Sequence, residues 1–60
     1  MTDQYIVGVT RKTNTKVSQW IGPTGYVYSR DEALRMNYAE AQARARAESD
    51  SRYRGVPQKV

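Results

Sequence analysis

The first half of the chain alternates hydrophobic and polar residues in the way that predicts β-strands. Residues 5–10 are rich in β-branched and aromatic side chains, and the odd-numbered ones, beginning with Tyr5, share one face of the predicted strand. A second strand is predicted at 16–21 and a short third one at 26–28. We expect the face that carries Tyr5 to be the core face.

The segments between these strands have the composition of turns. Residues 11–15 are polar with Asn14 among them, which is typical of a hairpin loop. Residues 22–25 read Gly-Pro-Thr-Gly, in which Pro23 fixes one φ angle and the second glycine tolerates a positive one. The first three strands should therefore form consecutive antiparallel pairs.

Two capping signals follow the third strand. Ser29 precedes Glu32 with the spacing of a capping box, and Asn37 precedes Glu40 with the same spacing. One interpretation is a single helix over 30–51. Asn is a poor residue inside a helix, however, and a second cap there would have no use.

The alternative interpretation divides this segment into three pieces. It predicts a helical turn at 30–33, a short strand at 34–36 and the main helix from 38 to about 51. We favour this broken arrangement. Within the helix, Ala41 and Ala45 fall on one face, and three other alanines fall nearly opposite them: Ala39, Ala43 and Ala47.

These elements predict an α+β fold, in which a small antiparallel sheet of three strands packs on one C-terminal helix. The sheet gains a fourth strand if 34–36 is extended. Residues 1–52 are predicted to form a single domain, and residues 53–60 a flexible C-terminal tail.

Composition narrows the chemistry that the chain can perform. Its 60 residues include neither Cys nor His, so the commonest metal ligand and the commonest general base are both missing. The six acidic residues are scattered, and no glycine-rich phosphate loop is present. We expect neither an enzyme nor a metal or cofactor site.

The net charge is +4, which favours an acidic partner but is also ordinary for solubility in a small domain. No apolar run has the length of a membrane span, and residues 1–4 do not begin a signal peptide. The expected location is the cytoplasm.

Positive charge is concentrated on the predicted hairpin loop. Arg11, Lys12 and Lys16 lie in a stretch without acids, and side chains of this kind contact phosphates. The alternative is a solvated loop without a partner. On the predicted helix, by contrast, Glu40 and Glu48 are spaced to neutralise the neighbouring arginines.

Three aromatic residues on neighbouring strands, Trp20, Tyr26 and Tyr28, are the other candidate contacts. They could stack on bases or anchor a protein interface, or they could form the core. If Val17 and Ile21 pack on the helix, alternation puts Trp20 on the opposite, open face of the sheet.

The order of these signals resembles a broad set of small proteins encoded by bacteriophages and prophages. The resemblance is carried by Trp20-Ile21-Gly22, by Gly25-Tyr26-Val27-Tyr28, by the Glu-Ala and apolar pair within 29–36, and by the helix start at 37–41. This chain has Met36 where an aromatic residue is usual. The resemblance implies an accessory protein in the bacterial host cytoplasm, of the anti-CRISPR or host-takeover type.

Three functional hypotheses follow, of which we prefer the first. The first is an inhibitor that binds a host protein or ribonucleoprotein complex through Trp20 and the basic loop. The second is a small nucleic-acid-binding protein that uses the basic loop and the sheet aromatics. The third is a homodimer formed through the exposed alanine ridge on the helix.

Overall fold

The computed structural model describes residues 3–60, except for the side chain of Thr15. It contains a four-stranded antiparallel sheet and one α-helix, which confirms the α+β fold. The strand order across the sheet is β3-β2-β1-β4. In chain order the elements are β1 (Tyr5–Arg11), β2 (Asn14–Ile21), β3 (Tyr26–Val27), a 3-10 turn (Arg30–Glu32), α1 (Tyr38–Glu48) and β4 (Tyr53–Lys59).

The C-terminal segment differs from its prediction as a flexible tail. Residues 53–59 form strand β4, which pairs with β1 along its whole length, from Tyr5 opposite Lys59 to Arg11 opposite Tyr53. β4 lies at the edge of the sheet, where a proline such as Pro57 is tolerated. The helix is therefore followed by a fourth strand and does not end the fold.

The broken arrangement of residues 30–38 is confirmed, although the predicted short strand at 34–36 is reduced to an isolated bridge at Met36. Met36 and Tyr5 exchange two backbone hydrogen bonds of 2.7 and 2.8 Å in an antiparallel bridge, and the Leu34 amide donates to the Ile21 carbonyl at 2.9 Å. This extended segment continues the line of β2 beside the start of β1. Met36 is buried in the core.

Asn37 caps α1 as predicted. Its side-chain oxygen accepts from the Glu40 amide at 2.8 Å, and the Glu40 carboxylate accepts in return from the Asn37 side chain at 3.0 Å. Ser29 differs from its prediction, since its side chain makes no capping hydrogen bond. The helix ends at Glu48, about one turn earlier than expected, because residues 49–52 turn the chain into β4.

The core lies between α1 and the central strands. The six buried members of the cluster are Val7, Val9, Ile21, Met36, Ala41 and Ala45. Because alanine side chains are short, the helix sits close to the sheet. A Cβ atom added to Gly55 of β4 would lie 2.7 Å from the Ala45 Cα atom, so only glycine allows this approach.

α1 has 11 residues and is neither long nor apolar enough to cross a membrane.

The face of the sheet opposite the helix is also apolar. The β1–β2 register shifts between Val9, which pairs with Gln19, and Thr10, which pairs with Val17. The sequence predicted that Val17 would face the helix. Because of the bulge, Val17 instead lies on the opposite face, where it packs over Gly8. The Ser18 hydroxyl, at the bulge, donates to the Val9 carbonyl at 3.1 Å.

Candidate functional site

The basic residues of the first hairpin are all exposed. Arg11 ends β1, Lys12 lies in the tight turn, and Lys16 follows in β2. The Asn14 side chain accepts from the Lys16 amide at 3.1 Å, which holds the start of β2 against the turn. The hairpin is thus a short, hydrogen-bonded structure in place of the predicted loop over 11–15.

The turn before β4 and β4 itself each bring one further arginine to this hairpin. The Lys12 amide donates to the Arg52 carbonyl at 3.0 Å, and Arg54 pairs with Thr10. We call the resulting cluster the basic end of the sheet. It holds half of the ten basic residues of the chain: Arg11, Lys12, Lys16, Arg52 and Arg54.

Asp50 stabilises the turn that precedes β4 and leads the chain to the basic end. Its side-chain oxygen accepts from the backbone amides of Arg52 and Tyr53 at 2.7 and 2.8 Å. These two hydrogen bonds, followed by the charges of Lys12 and Arg52, hold the pKa of Asp50 below its ordinary value. The Asp50 carboxylate therefore stabilises the turn through its hydrogen bonds, and its negative charge lies near Lys12 and Arg52.

A groove of about 340 Å³ runs along the hairpin at the basic end. Arg11 and Lys16 supply its positive charge, Gln19 supplies an amide, and Tyr28 and Tyr53 supply two aromatic rings. Tyr28 is 79% exposed, while Tyr53 is half-buried against the core. The groove therefore combines cations with a free aromatic surface.

The three candidate aromatic residues do not share one face. β3 pairs with β2 so that Tyr26 lies opposite Ile21 and Val27 lies opposite Trp20. Because directly paired residues point to the same side, Tyr26 lies on the helix side and Trp20 on the open side. The Tyr26 hydroxyl donates to the Glu48 carboxylate, which raises the pKa of Tyr26 above 10.0.

Trp20 lies on the open face as expected, but its ring is only half-exposed. One side packs over Gly8, where an added Cβ atom would lie 3.1 Å from the indole ring. The Arg30 guanidinium lies 5.9 Å from the ring centroid and also donates to the Lys59 carbonyl at 3.2 Å. Trp20 thus contributes to packing on this face, and its role as a partner contact stays a prediction.

The surface of α1 differs from its prediction in charge pairing. Glu40 is engaged by Asn37 and Glu48 by Tyr26, and the ion pair found within residues 3–60 is Lys59 with Asp3 at 3.4 Å. The arginines of the helix are therefore not neutralised by direct contact.

The predicted ridge of Ala39, Ala43 and Ala47 is exposed. No group of three or more potential metal-binding side chains occurs in residues 3–60.

Arg52, Tyr53 and Arg54 are members of the site that were not predicted from the sequence. Strand β4 carries a signal that could have been used: a proline is compatible with an edge strand, and Tyr53 and Val56 are residue types that are favoured in strands. Comparison of the chain with known protein families, with curated proteins and with solved structures finds no match.

Proposed function

We propose that this chain is a non-enzymatic binding protein that recognises nucleic acid through the basic end of its sheet. The observation that carries the proposal is the pairing of β4 with β1, which brings five cationic residues from two distant parts of the sequence to one end of the sheet. Lys and Arg side chains clustered in this way neutralise phosphates and release counterions.

The rigidity of the cluster supports the proposal. Arg11 and Arg54 lie on paired strands, and Lys12 is tied to Arg52 by a backbone hydrogen bond. The backbones that carry the charges are ordered before binding, which lowers the entropic cost of contacting a phosphate backbone. A flexible basic tail would lack this advantage.

Salt-dependent binding tests the proposal. Fluorescence anisotropy of a labelled 12-nucleotide strand should give an affinity that falls with salt, with a log–log slope of about −3 if four or five phosphates are neutralised. Between 50 and 200 mM salt the loss is roughly 60-fold. Binding that is absent at low salt, or insensitive to salt, would refute the proposal.

A matched pair of variants separates the basic end from net charge. Arg52→Gln with Arg54→Gln removes two charges from the cluster, and we expect a slope smaller by about 1.4. Arg44→Gln with Arg46→Gln removes two exposed charges from α1 and should leave the slope close to that of the unchanged chain. Equal effects of the two pairs would mean that only net charge matters.

A second candidate function rests on the open face of the sheet. Half-buried apolar side chains lie there side by side: Val17, Trp20, Val27 and Val56. An apolar surface with a central Trp suits a protein partner. In this proposal the chain is a phage-type accessory protein that inhibits a host complex.

Affinity capture from a bacterial lysate distinguishes the two functions. A stoichiometric protein complex that survives nuclease treatment, and that Trp20→Ala abolishes without changing the circular dichroism spectrum, supports the inhibitor. Co-purified nucleic acid, with every protein lost after nuclease treatment, supports the first function.

A further inference from the structure

We infer that the groove beside the hairpin takes single-stranded nucleic acid, with one base stacked on Tyr28 and the adjoining phosphates held by Arg11 and Lys16. This inference rests on the proposed function and names the form of nucleic acid that the site selects. The groove, of about 340 Å³, is at the lower end of the range for small-molecule sites and suits a single nucleotide.

The ring of Tyr28 is highly exposed. Its ring is 79% exposed, compared with 54% for Tyr26 and 52% for Tyr38. Tyr26 is hydrogen-bonded to Glu48, and the ring of Tyr38 lies 5.1 Å from that of Tyr5. Tyr28 thus offers far more free ring surface than either of these tyrosines.

Tyr28 also lies beside two cationic side chains. Arg11 and Lys16 line the same groove, so a strand whose base rests on the ring brings its phosphates to two cations. Aromatic stacking flanked by positive charge is how proteins hold single strands without strong sequence preference. The Gln19 amide in the same groove can donate to and accept from a base edge.

The same geometry disfavours duplexes and acidic proteins. The bases of a duplex are stacked on one another and cannot reach a side-chain ring without being unstacked, which costs free energy. An acidic peptide would use the cations but would leave the ring of Tyr28 exposed. Single strands engage both parts of the groove.

The test compares a fluorescein-labelled strand of 24 thymidines with a labelled duplex of 12 base pairs, which has about the same number of phosphates. Both are titrated with the full chain at 50 mM salt. We expect the single strand to bind at least tenfold more tightly. We expect Tyr28→Ala to weaken that binding about tenfold, within the range for loss of one stacked base, and Tyr28→Phe to preserve it.

Two controls accompany these variants. Tyr38→Ala removes an exposed tyrosine away from the groove and should leave binding unchanged. Because Tyr28 is largely exposed, its removal should leave the thermal midpoint nearly unchanged, so weaker binding would not reflect unfolding.

The failure of this inference is distinguishable from failure of the proposed function. Salt-dependent binding that is equal for duplex and single strand, or that Tyr28→Ala leaves intact, overturns the inference and keeps the basic end as a nucleic-acid site. Equal competition by polyglutamate also overturns it, because simple anion binding would then be sufficient. Absence of binding to either probe overturns both.

Discussion

Each face of the sheet packs closely over one glycine, but the atoms that contact the two glycines differ: backbone atoms on one face and side-chain atoms on the other. On the helix face, Gly55 lies against the backbone of α1 at Ala45. On the open face, Gly8 lies beneath the side chains of Val17 and Trp20. A backbone in a helix cannot move by itself, whereas the end of a side chain can rotate. The helix face therefore cannot accept an added atom at Gly55 unless the helix moves, whereas the open face can accept one at Gly8 if side chains repack.

The alanines of α1 explain why the helix face is so constrained. Ala41 and Ala45 are buried against β1 and β4 and bring the helix axis close to the sheet. Short side chains bury little apolar area, so the larger residues of the core, such as Val7 and Ile21, carry most of the hydrophobic stabilisation. Because a chain of 60 residues has a small free energy of unfolding, a disturbance of this close approach should be strongly destabilising.

The largest expected effect is that of Gly55→Ala. The added methyl group would lie 2.7 Å from the Ala45 Cα atom, and α1 would have to move as a whole. We expect a loss of about 3 kcal/mol in the free energy of unfolding, from a total of roughly 3–9 kcal/mol for a domain of this size. Thermal circular dichroism should show a midpoint lower by roughly 12–24 °C. A drop of only a few degrees would mean that α1 is free to shift.

Gly8→Ala makes the same chemical change on the open face and should cost less. The added methyl group would lie 2.9 Å from Val17 and 3.1 Å from Trp20, and both contacts are with side chains. We expect a loss of about 1 kcal/mol, or a midpoint lower by roughly 4–8 °C.

A double-mutant cycle checks that this smaller cost comes from side-chain crowding. Val17→Ala should be less destabilising in the Gly8→Ala background than alone, because it removes the crowding atoms. No such rescue is expected from Ala45→Gly in the Gly55→Ala background, since the clash there is with backbone atoms. Additive effects at Gly8 and Val17 would remove the distinction between the faces.

What the sequence could predict was local. β1 was evident from its β-branched residues, and Asn37 was identified as the cap because it precedes Glu40 by three positions. The turn at 22–25 was likewise predicted from glycine and proline, and the Gly22 amide donates to the Gly25 carbonyl at 2.7 Å. Each of these features depends on residues a few positions apart.

What the sequence could not predict depended on distant contacts. β4 contains Gly55 and Pro57, which have low strand propensity, and it is a strand because β1 pairs with it and α1 covers Gly55. The bulge at Ser18 reversed the face of Val17, which alternation alone could not show. The basic end was incompletely predicted for the same reason, since only the β1–β4 pairing brings Arg11 and Arg54 to the same end of the sheet.

The smallest expected effect is that of Asp50→Asn, which tests the turn that brings β4 to the helix face. Asparagine keeps an oxygen that can accept from the amides of Arg52 and Tyr53, but it loses the negative charge. At pH 7 we expect a thermal midpoint lower than that of the unchanged chain, by less than the Gly8→Ala effect.

The pH dependence of this difference identifies its origin. The pKa of Asp50 is lower in the folded chain than the ordinary value of about 3.9, so the unfolded chain binds the proton more tightly. The stabilisation is complete above that ordinary value and is lost as the pH falls through the lowered pKa. The midpoints of Asp50→Asn and of the unchanged chain should therefore differ at pH 7 and converge in strong acid. Asp31→Asn removes an exposed carboxylate from the 3-10 turn and is the matched control for the loss of one negative charge, with an expected midpoint at pH 7 close to that of the unchanged chain. A gap between the unchanged chain and Asp50→Asn that persists in strong acid would assign the effect to hydrogen-bond geometry and not to charge.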